Sequence, residues 1–349
     1  MSSFDETLIL TERQIAILRA VVEEYVATAQ PVSSSSIADR ADIHTSPATA
    51  RNEMARLEEL GLLLQPHTSA GRIPSDLGYR YYVDHLLTTY QLERHHQTPA
   101  LPSCPDPGVE ATCKLLGELT KYTALALVSG WQEHRLERIE LAPVGDDQLL
   151  VMLVTDNRQV MHSLTTVQDR PTPARLRQLN DLLNREFAGK SLAQLTEEAL
   201  ERAVAKLPHA HGDFLQHAPV IVRRGLERSY PETRVYVQGT THIFEQQDFA
   251  DVPKLRALME ALHEESVFER LFARAISGEV TVSIGAENPH PGLEDCAVVF
   301  TSYHVSEHAT GRVGVLGPKR MQYRNVIRTV DAVVHNLDKR MGTNPPQES

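Results

Sequence analysis

The residues in this chain that are best suited to chemistry lie in its first quarter, and the chemistry that they suit is recognition of duplex DNA. Ser46-Pro47 is typical of a helix start, because serine caps the first amides and proline needs no amide hydrogen there. Arg51 and Asn52 follow closely on the outward face. Arginine can form two hydrogen bonds with guanine, and asparagine two with adenine, in the major groove. A small neighbour, Ala48, allows close approach, so the pattern predicts a helix that reads base edges.

The residues after this helix predict a wing. Leu62–Leu64 form a short strand, and the loop 66–74 carries glycine and proline on either side of Arg72. We expect Arg72 at the loop tip, where an arginine can enter the minor groove or contact phosphate. Polar residues 67–69 are expected to contact phosphate, with stabilisation of the turn as the alternative. The expected DNA-contacting residues are Ser46, Ala48, Thr49, Arg51, Asn52, His67, Thr68, Ser69 and Arg72.

Two upstream helices complete a helix-turn-helix. Thr11 and Gln14 have the spacing of a capping box and precede an apolar stripe of helical period. Gln30-Pro31 ends that helix, and the serine run 33–36 caps a short second one. After the wing, a helix beginning at Ser75 or Asp76 carries a broad apolar stripe that fits core packing or a dimer contact.

The charge of the chain argues against a strongly basic DNA-binding surface. The net charge is −11, and residues 1–98 contain eight arginines and no lysines against thirteen acidic residues, a net charge of −5. Residues 44–82 have no net charge. We expect their arginines to face DNA and their acidic residues to face away from it. We therefore expect weak nonspecific affinity and a modest salt dependence. An alternative for Arg51 is a weak surface ion pair with Glu58 or Glu59.

Several longer runs carry a family resemblance. They are PVSSSSIA, SPATARNEMARLEELGLL, QPHTSAGRIPSDLGYRYYVD, GAENPHPGLEDCAVVFTSY and GRVGVLGPKRMQYRNVI. From about Thr7 to Met341 the chain resembles the heat-inducible transcription repressor (HrcA) family of bacteria. It departs from that family's usual pattern at Ser33 (usually glycine), Ala50 (usually isoleucine) and Lys319 (commonly threonine).

The pattern of elements predicts a multidomain α+β protein. Strands, a helical block at 174–228, a hairpin turning at Gly239-Thr240, a helical stretch at 252–276, further strands and a closing helix read as one α+β domain with an insertion. The resemblance implies the names of the parts. They are a winged-helix domain at 1–95, a linker at 96–108, a discontinuous GAF-like domain at 109–170 and 278–341, and a mostly helical inserted dimerisation domain at 171–277.

The resemblance also implies the function. A homodimer would bind the inverted-repeat operator of chaperone operons (CIRCE), and the GroEL chaperonin would keep the repressor active until heat stress. One rival is a regulator that senses a small molecule through the GAF-like domain. The other is an enzyme whose winged helix serves only protein contacts, and the lack of GxSxG, HExxH and P-loop patterns counts against it.

We expect neither a cofactor nor a metal. His209 and His211 beside Asp213 are read as loop histidines, and the three cysteines (Cys104, Cys113 and Cys296) fit a reducing compartment. No apolar run reaches the length of about 18 residues that a membrane span needs. The polar, acidic N-terminus has no secretion signal pattern, so we expect a cytoplasmic protein without membrane contact.

Overall fold

A computed structural model describes residues 9–40, 43, 45–67, 71–93, 109–129, 134–156, 160–167, 171–207, 213–229, 233–276, 278–304 and 310–341. The chain divides into two compact units. The first unit consists of Met1–Ala126, Tyr236–Ser302 and Arg312–Arg340, and the second of Leu127–Val235, Tyr303–Gly311 and Met341–Ser349. The predicted linker at 96–108 lies outside the described residues.

The N-terminal helices begin and end where the sequence predicts. Helix α1 has both hydrogen bonds of the capping box, from the Gln14 amide to the Thr11 hydroxyl (3.3 Å) and from the Thr11 amide to Oε1 of Gln14 (3.0 Å). It ends at Ala29, which adopts the left-handed conformation shortly before Pro31. Ser33 caps α2, and its hydroxyl accepts from the Ser36 amide. The elements of this region are α1 (Glu12–Thr28), α2 (Ser34–Ala38), α3 (Pro47–Glu59), β1 (Leu63–Leu64), β2 (Ile73–Pro74) and α4 (Asp76–Glu93).

Helix α4 is fixed against the end of α3 by its first turn. The Ser75 hydroxyl donates to the Gly61 carbonyl (2.6 Å) and accepts from the Gly78 amide (3.0 Å). A Cβ on Gly78 would lie 2.1 Å from the Leu62 carbonyl oxygen, so this turn fits only with glycine. The apolar stripe of α4, including Tyr79, is buried within the first unit.

The chain after the winged helix adds a five-stranded sheet of order β7-β3-β10-β9-β8. Phe272 and Phe300 pack edge to face in its core, with ring centroids 5.2 Å apart. The elements are α5 (Val109–Thr120), β3 (Thr123–Ser129), β7 (Thr233–Gln238), α9 (Thr241–Glu245), α10 (Val252–Ala261), α11 (Glu265–Phe272), β8 (Thr281–Ile284), β9 (Cys296–His304), β10 (Thr310–Pro318) and α12 (Tyr323–Met341).

The second unit contains an antiparallel three-stranded sheet of order β4-β5-β6. Alternate residues of β5 are buried, and Leu149, Val151 and Leu153 share a core with the leucines of three helices. Asn180 and Asn184 accept from and donate to the backbone of the edge strand β4 at 2.7–3.1 Å. The elements are β4 (Leu136–Val144), β5 (Gln148–Thr155), β6 (Val160–Thr166), α6 (Pro173–Phe187), α7 (Glu197–Val204) and α8 (Asp213–Ser229).

The sequence predicts a hairpin that turns at Gly239-Thr240, and this prediction is wrong. Strand β7 ends at Gln238, and α9 begins two residues after Gly239, whose φ is 72°. The Ile243 amide donates to the Thr240 carbonyl and its side chain is buried. Periodicity along the sequence cannot distinguish a short apolar run in a strand from one in a helix. Tertiary packing decides, and here it buries Ile243 on a helical turn.

The compact units are grouped differently from the expected domains. The strands between 136 and 166, expected in the GAF-like domain, lie in the second unit, together with α6–α8. Residues 236–276, expected in the insertion, lie in the first. The roles assigned to these parts, GAF-like and dimerisation, stay predictions.

We predict that Gly78→Ala lowers the thermal stability of the protein. Glycine to alanine inside a helix normally stabilises by up to about 1 kcal/mol. Here the added methyl group meets the Leu62 carbonyl, and overpacking of this kind costs about 1–3 kcal/mol. Thermal unfolding followed by circular dichroism should show a lower midpoint, whereas Thr88→Ala on the exposed side of α4 should leave it unchanged or raise it. An unchanged midpoint for Gly78→Ala would mean that α4 can move away from Leu62 at little cost.

Candidate nucleic-acid interface

Helix α3 presents the predicted face to solvent. The Ser46 hydroxyl caps the helix by accepting from the Thr49 amide (3.1 Å). Ala48, Arg51 and Asn52 are exposed. The opposite side is buried, and consists of Ala50, Met54 and Leu57. Side chains three and four residues apart share one side of a helix, so the exposed residues form one continuous surface.

The helical spacing of Ala50, Met54, Leu57 and Gly61 predicts that Gly61 lies on the buried side of α3, and for Gly61 this prediction is wrong. It is exposed, with a φ of 74°, just after the helix ends. A glycine in the left-handed conformation commonly follows a helix, because it carries no Cβ. It therefore serves the turn into β1 rather than the packing of α3.

The carboxylates nearest to Arg51 along α3 are occupied by other groups. Glu58 pairs with Arg72, with 2.8 Å between Oε2 and Nη2. Glu59 pairs with Arg56 at 2.9 Å. Glu53 accepts from the side-chain amide of Gln14 at 3.2 Å. Among the described residues, no carboxylate lies within ion-pair distance of Arg51, so the alternative that it pairs with Glu58 or Glu59 is wrong.

The cap of α3 places two hydroxyl groups at its N-terminus. Ser46 Oγ lies 2.9 Å from Thr49 Oγ1, so the two side chains orient one another. The amides at a helix N-terminus carry partial positive charge and attract phosphate. Ser46 and Thr49 are therefore placed to contact a phosphate beside the groove that Arg51 would enter, which stays a prediction.

The structure places Arg72 at the base of the wing, so its expected position at the loop tip is wrong. Its backbone amide and carbonyl each bond to Val32, at 2.8 and 2.9 Å. A Cβ on Gly71 would lie 2.2 Å from the Val32 carbonyl oxygen. The glycine thus permits a close approach of two backbone segments rather than a tight turn. Whether Arg72 contacts DNA stays a prediction.

The remaining wing residues are only partly described. His67 is exposed three residues after β1, and its phosphate contact stays a prediction. Thr68 and Ser69 lie outside the described residues, and so do His209 and His211.

Two charges of the predicted DNA-binding segment serve contacts elsewhere in the first unit. Arg80 pairs with Glu287, and Asp76 pairs with Lys319 at 2.7 Å. Sequence reasoning missed both partnerships, because more than 200 residues separate the partners.

The described part of the chain offers no second kind of site. It contains no group of three or more His, Cys, Asp or Glu side chains that would suit a metal. Burial raises the pKa of the Cys113 thiol to about 12 and raises that of Cys296 as well, so both are poor nucleophiles. None of the helices in the described ranges has the length and apolarity needed to cross a membrane.

We predict that Arg72 and Glu58 contribute to stability as a pair. Their side chains are 18% and 34% exposed. We therefore expect a coupling free energy of about 1 kcal/mol, a value intermediate between that of an exposed ion pair and that of a buried charged hydrogen bond. A double-mutant cycle of Arg72→Ala and Glu58→Ala, measured by urea unfolding, checks this. Additive effects of the two substitutions would show that the pair is not formed in solution.

Comparisons with known proteins find relatives along nearly the whole chain. The family model "Winged helix-turn-helix transcription repressor, HrcA DNA-binding" matches residues 9–81, and "HrcA protein C terminal domain" matches residues 107–327. The heat-inducible transcription repressor HrcA of Shouchella clausii is 38% identical over 338 residues, covering 95% of this chain and 98% of that protein. The HrcA of Symbiobacterium thermophilum is 36% identical over 337 residues, with 95% and 98% covered.

One solved structure has a similar fold. The crystal structure of a hypothetical protein at 2.2 Å resolution superimposes with a TM-score of 0.68 at 24% identity, covering 96% of this chain and 100% of that one. Together, the matched models and relatives establish that the chain belongs to the HrcA family of heat-inducible transcription repressors, with a winged-helix DNA-binding domain at its N-terminus.

Proposed function

We propose that this repressor binds an inverted-repeat operator (CIRCE) of chaperone operons as a homodimer, with Arg51 and Asn52 of each α3 reading one arm. The observation that carries the proposal is the surface of α3. Its arginine and asparagine are exposed, while Glu58 and Glu59 are paired with other arginines and Glu53 accepts from Gln14. A two-fold dimer matches a two-fold operator, so one protein surface serves both arms. The repressor would act in the cytoplasm.

The dimer contact that we favour is the open face of the three-stranded sheet, which lies outside the insertion at 171–277 that the resemblance assigns to dimerisation. Opposite the helix-covered side, Leu150 pairs with Leu164 across β5 and β6, and Val154 pairs with Val160. Leu164 and Val160 are 46% and 59% exposed. Between these two pairs, Met152 lies opposite the exposed His162, so the face is apolar on either side of one polar position. An exposed, largely apolar sheet face is typical of a protein interface, and a second copy presents the same face for a two-fold contact. The occupant we propose is therefore a second copy of the chain.

We also propose that the GroEL chaperonin maintains the active repressor and that heat removes this support. The first unit is assembled from three separate stretches of chain, so it closes only when its C-terminal stretch is in place. Chains of this kind populate intermediates with exposed apolar surface. Such surface is what a chaperonin binds.

A cleft in the first unit favours the second candidate function, regulation by a small molecule. It encloses about 330 Å³ and has a mainly polar lining. Its polar residues are Thr120, Lys121, Tyr122, Gln246, Gln322, Asn325 and Thr329. A thermal-shift screen separates the two candidates: stabilisation by a metabolite favours sensing through this cleft, and DNA binding that depends on chaperonin favours the first proposal.

The test of the main proposal is a fluorescence-anisotropy titration of a labelled chaperone-promoter inverted repeat against a scrambled duplex, with and without GroEL. We expect tight binding to the repeat only, improved by chaperonin. Binding unaffected by chaperonin would keep the operator but remove the chaperonin from the proposal. Equal binding to both duplexes would refute the operator.

We predict that Arg51→Ala weakens operator binding by about 1–3 kcal/mol and relaxes the preference for the operator, because a bidentate base contact is lost. Arg56 is the matched control. It is an exposed arginine on the same helix that already pairs with Glu59, so Arg56→Ala should change affinity much less. Anisotropy with operator and scrambled duplexes measures both variants. Equal losses in the two variants would remove the special role of Arg51.

We predict a shallow salt dependence of operator binding. Each phosphate neutralised contributes a slope of about 0.9 in a plot of log affinity against log salt. Residues 1–98 contain eight arginines and no lysines, and five of the arginines (Arg19, Arg40, Arg56, Arg72 and Arg80) pair with carboxylates of the protein. Three arginines per protomer, or six per dimer, remain for phosphate, so we expect a slope of roughly 5 or less. A titration from low to physiological salt measures it, and a steep slope would point to a basic surface outside α3 and the wing.

We predict that Leu164→Asp converts the dimer to monomers, because it places a charge in the proposed apolar contact. Gln178→Asp on α6, which covers the other face of the sheet, is the control and should remain dimeric. Size-exclusion chromatography with light scattering gives the mass of each. A dimeric Leu164→Asp protein would place the contact on another surface.

A further inference from the structure

Helix α4 joins the winged helix to the C-terminal part of the first unit through paired charges. We propose that Arg80 with Glu287 and Asp76 with Lys319 are positioning residues, which fix the direction of the recognition helix within the first unit and hence the operator spacing that the dimer accepts. This inference rests on the proposed function, binding of an inverted repeat by a dimer. None of these four residues belongs to the surface that would touch DNA.

Arg80 holds α4 with a fixed orientation. Its Nε donates to Glu287 Oε1 (2.8 Å) and its Nη2 to Oε2 (2.6 Å). Nη2 also donates to the Val282 carbonyl (2.7 Å), and Nη1 to Asp84 (3.0 Å). A two-pronged arginine–carboxylate pair fixes direction as well as distance, which a single charge contact does not.

The partner carboxylate is itself held in place. Glu287 Oε2 accepts from the Ile284 amide (2.9 Å), and the Glu287 carbonyl accepts from Arg274 (2.8 Å). Arg80 therefore binds to the turn after β8 rather than to a side chain that moves freely. This makes the contact a point of attachment to the sheet.

The second pair is built around a glycine. Asp76 accepts from Lys319 Nζ (2.7 Å) and from the Ala286 amide (3.3 Å). Gly285 has a φ of 55°, and a Cβ there would lie 2.0 Å from Asp76 Oδ2. The backbone of this turn thus makes room for the first turn of α4.

Tyrosines continue the contact along α4. The rings of Tyr79 and Tyr82 lie 6.0 and 6.4 Å from that of Tyr323, which is fully buried on α12. Farther along, the Tyr90 hydroxyl donates to Asp331 (2.6 Å). From Asp76 to Tyr90 the contact spans about 21 Å of helix.

The same helix is fixed to the recognition unit at its other side. Ser75 and Gly78 attach its first turn to residues 61–62, directly after α3. A change in the direction of α4 would therefore carry Arg51 with it. One base pair of extra spacing moves a half-site by about 3.4 Å and rotates it by about 35°, so a rigidly held α4 makes binding depend strictly on spacing.

The experiment uses the full-length dimer and a series of duplexes whose two arms are separated by the natural spacer or by one to five base pairs more or fewer. A duplex with a single arm is included. The test variant combines Glu287→Gln with Lys319→Met, which weakens both pairs. The control is Lys254→Met, which removes an exposed ion pair with Asp295 (2.9 Å) in the same unit without touching α4.

We expect the parent and the control to lose about tenfold or more in affinity when the spacing is wrong, the loss of one or two base contacts. The test variant should bind the single arm within about twofold of the parent but lose most of its discrimination between spacings. Unchanged discrimination in the test variant would overturn the proposal. Loss of single-arm binding would also overturn it, because the pairs would then support the fold of the recognition unit.

Two further measurements separate other outcomes. If the test variant unfolds, as judged by circular dichroism, Arg80→Lys replaces it, since it keeps the charge and loses the two-pronged contact; it should show intermediate discrimination. Full discrimination by Arg80→Lys would count against the proposal. A scrambled duplex tests the proposed function separately. If the parent protein binds the repeat no better than the scrambled duplex, the proposed function itself is refuted, and no variant is needed to see this.

Discussion

The contact between Val32 and Arg72 is the constraint on which the DNA-facing surface depends. Two backbone hydrogen bonds clamp the base of the wing to the segment before α2, and only glycine at position 71 leaves room for that approach. With its backbone fixed there, Arg72 extends to Glu58 and pairs with it. The pair removes the acidic residue that would otherwise compete for Arg51. The close approach of the backbone at Val32 therefore positions Arg72 to occupy Glu58. As a consequence, Arg51 on α3 has no carboxylate partner among the described residues.

This arrangement also accounts for DNA recognition by a chain of net charge −11. Acidic residues of the winged helix are paired within the protein: Glu58 with Arg72, Glu59 with Arg56 and Asp76 with Lys319. On α3, Arg51 has no carboxylate partner among the described residues, although the whole segment is neutral. Affinity would then come from a few directional base contacts rather than from a broad positive field, which favours discrimination over nonspecific binding.

The parts of the fold that could be predicted from sequence are those specified by neighbours along the chain. The caps at Thr11, Ser33 and Ser46 and the buried stripe of α3 all follow from residues within one or two turns. The errors arise where distant residues decide. Gly71 resembled a turn glycine because Val32, which it must clear, lies 39 residues earlier in the sequence. The role of Arg80 was not visible because its partner, Glu287, is on a turn after β8, and no local pattern links the two.

The contacts of α4 give the proposed chaperonin dependence a physical basis. The three helices and the wing have their caps and buried residues within the first 93 residues, so they can fold from local information. The position of this winged helix depends on distant residues, because α4 docks against Glu287, Lys319 and Tyr323. These three residues belong to the part of the chain that is synthesised last. A chain that has not closed its C-terminal stretch would carry a folded recognition helix that is not held at the angle a two-fold operator requires. Loss of repression on heating therefore needs no unfolding of the DNA-reading surface, only release of the stretch that orients it, and assistance in closing that stretch would be sufficient to restore binding.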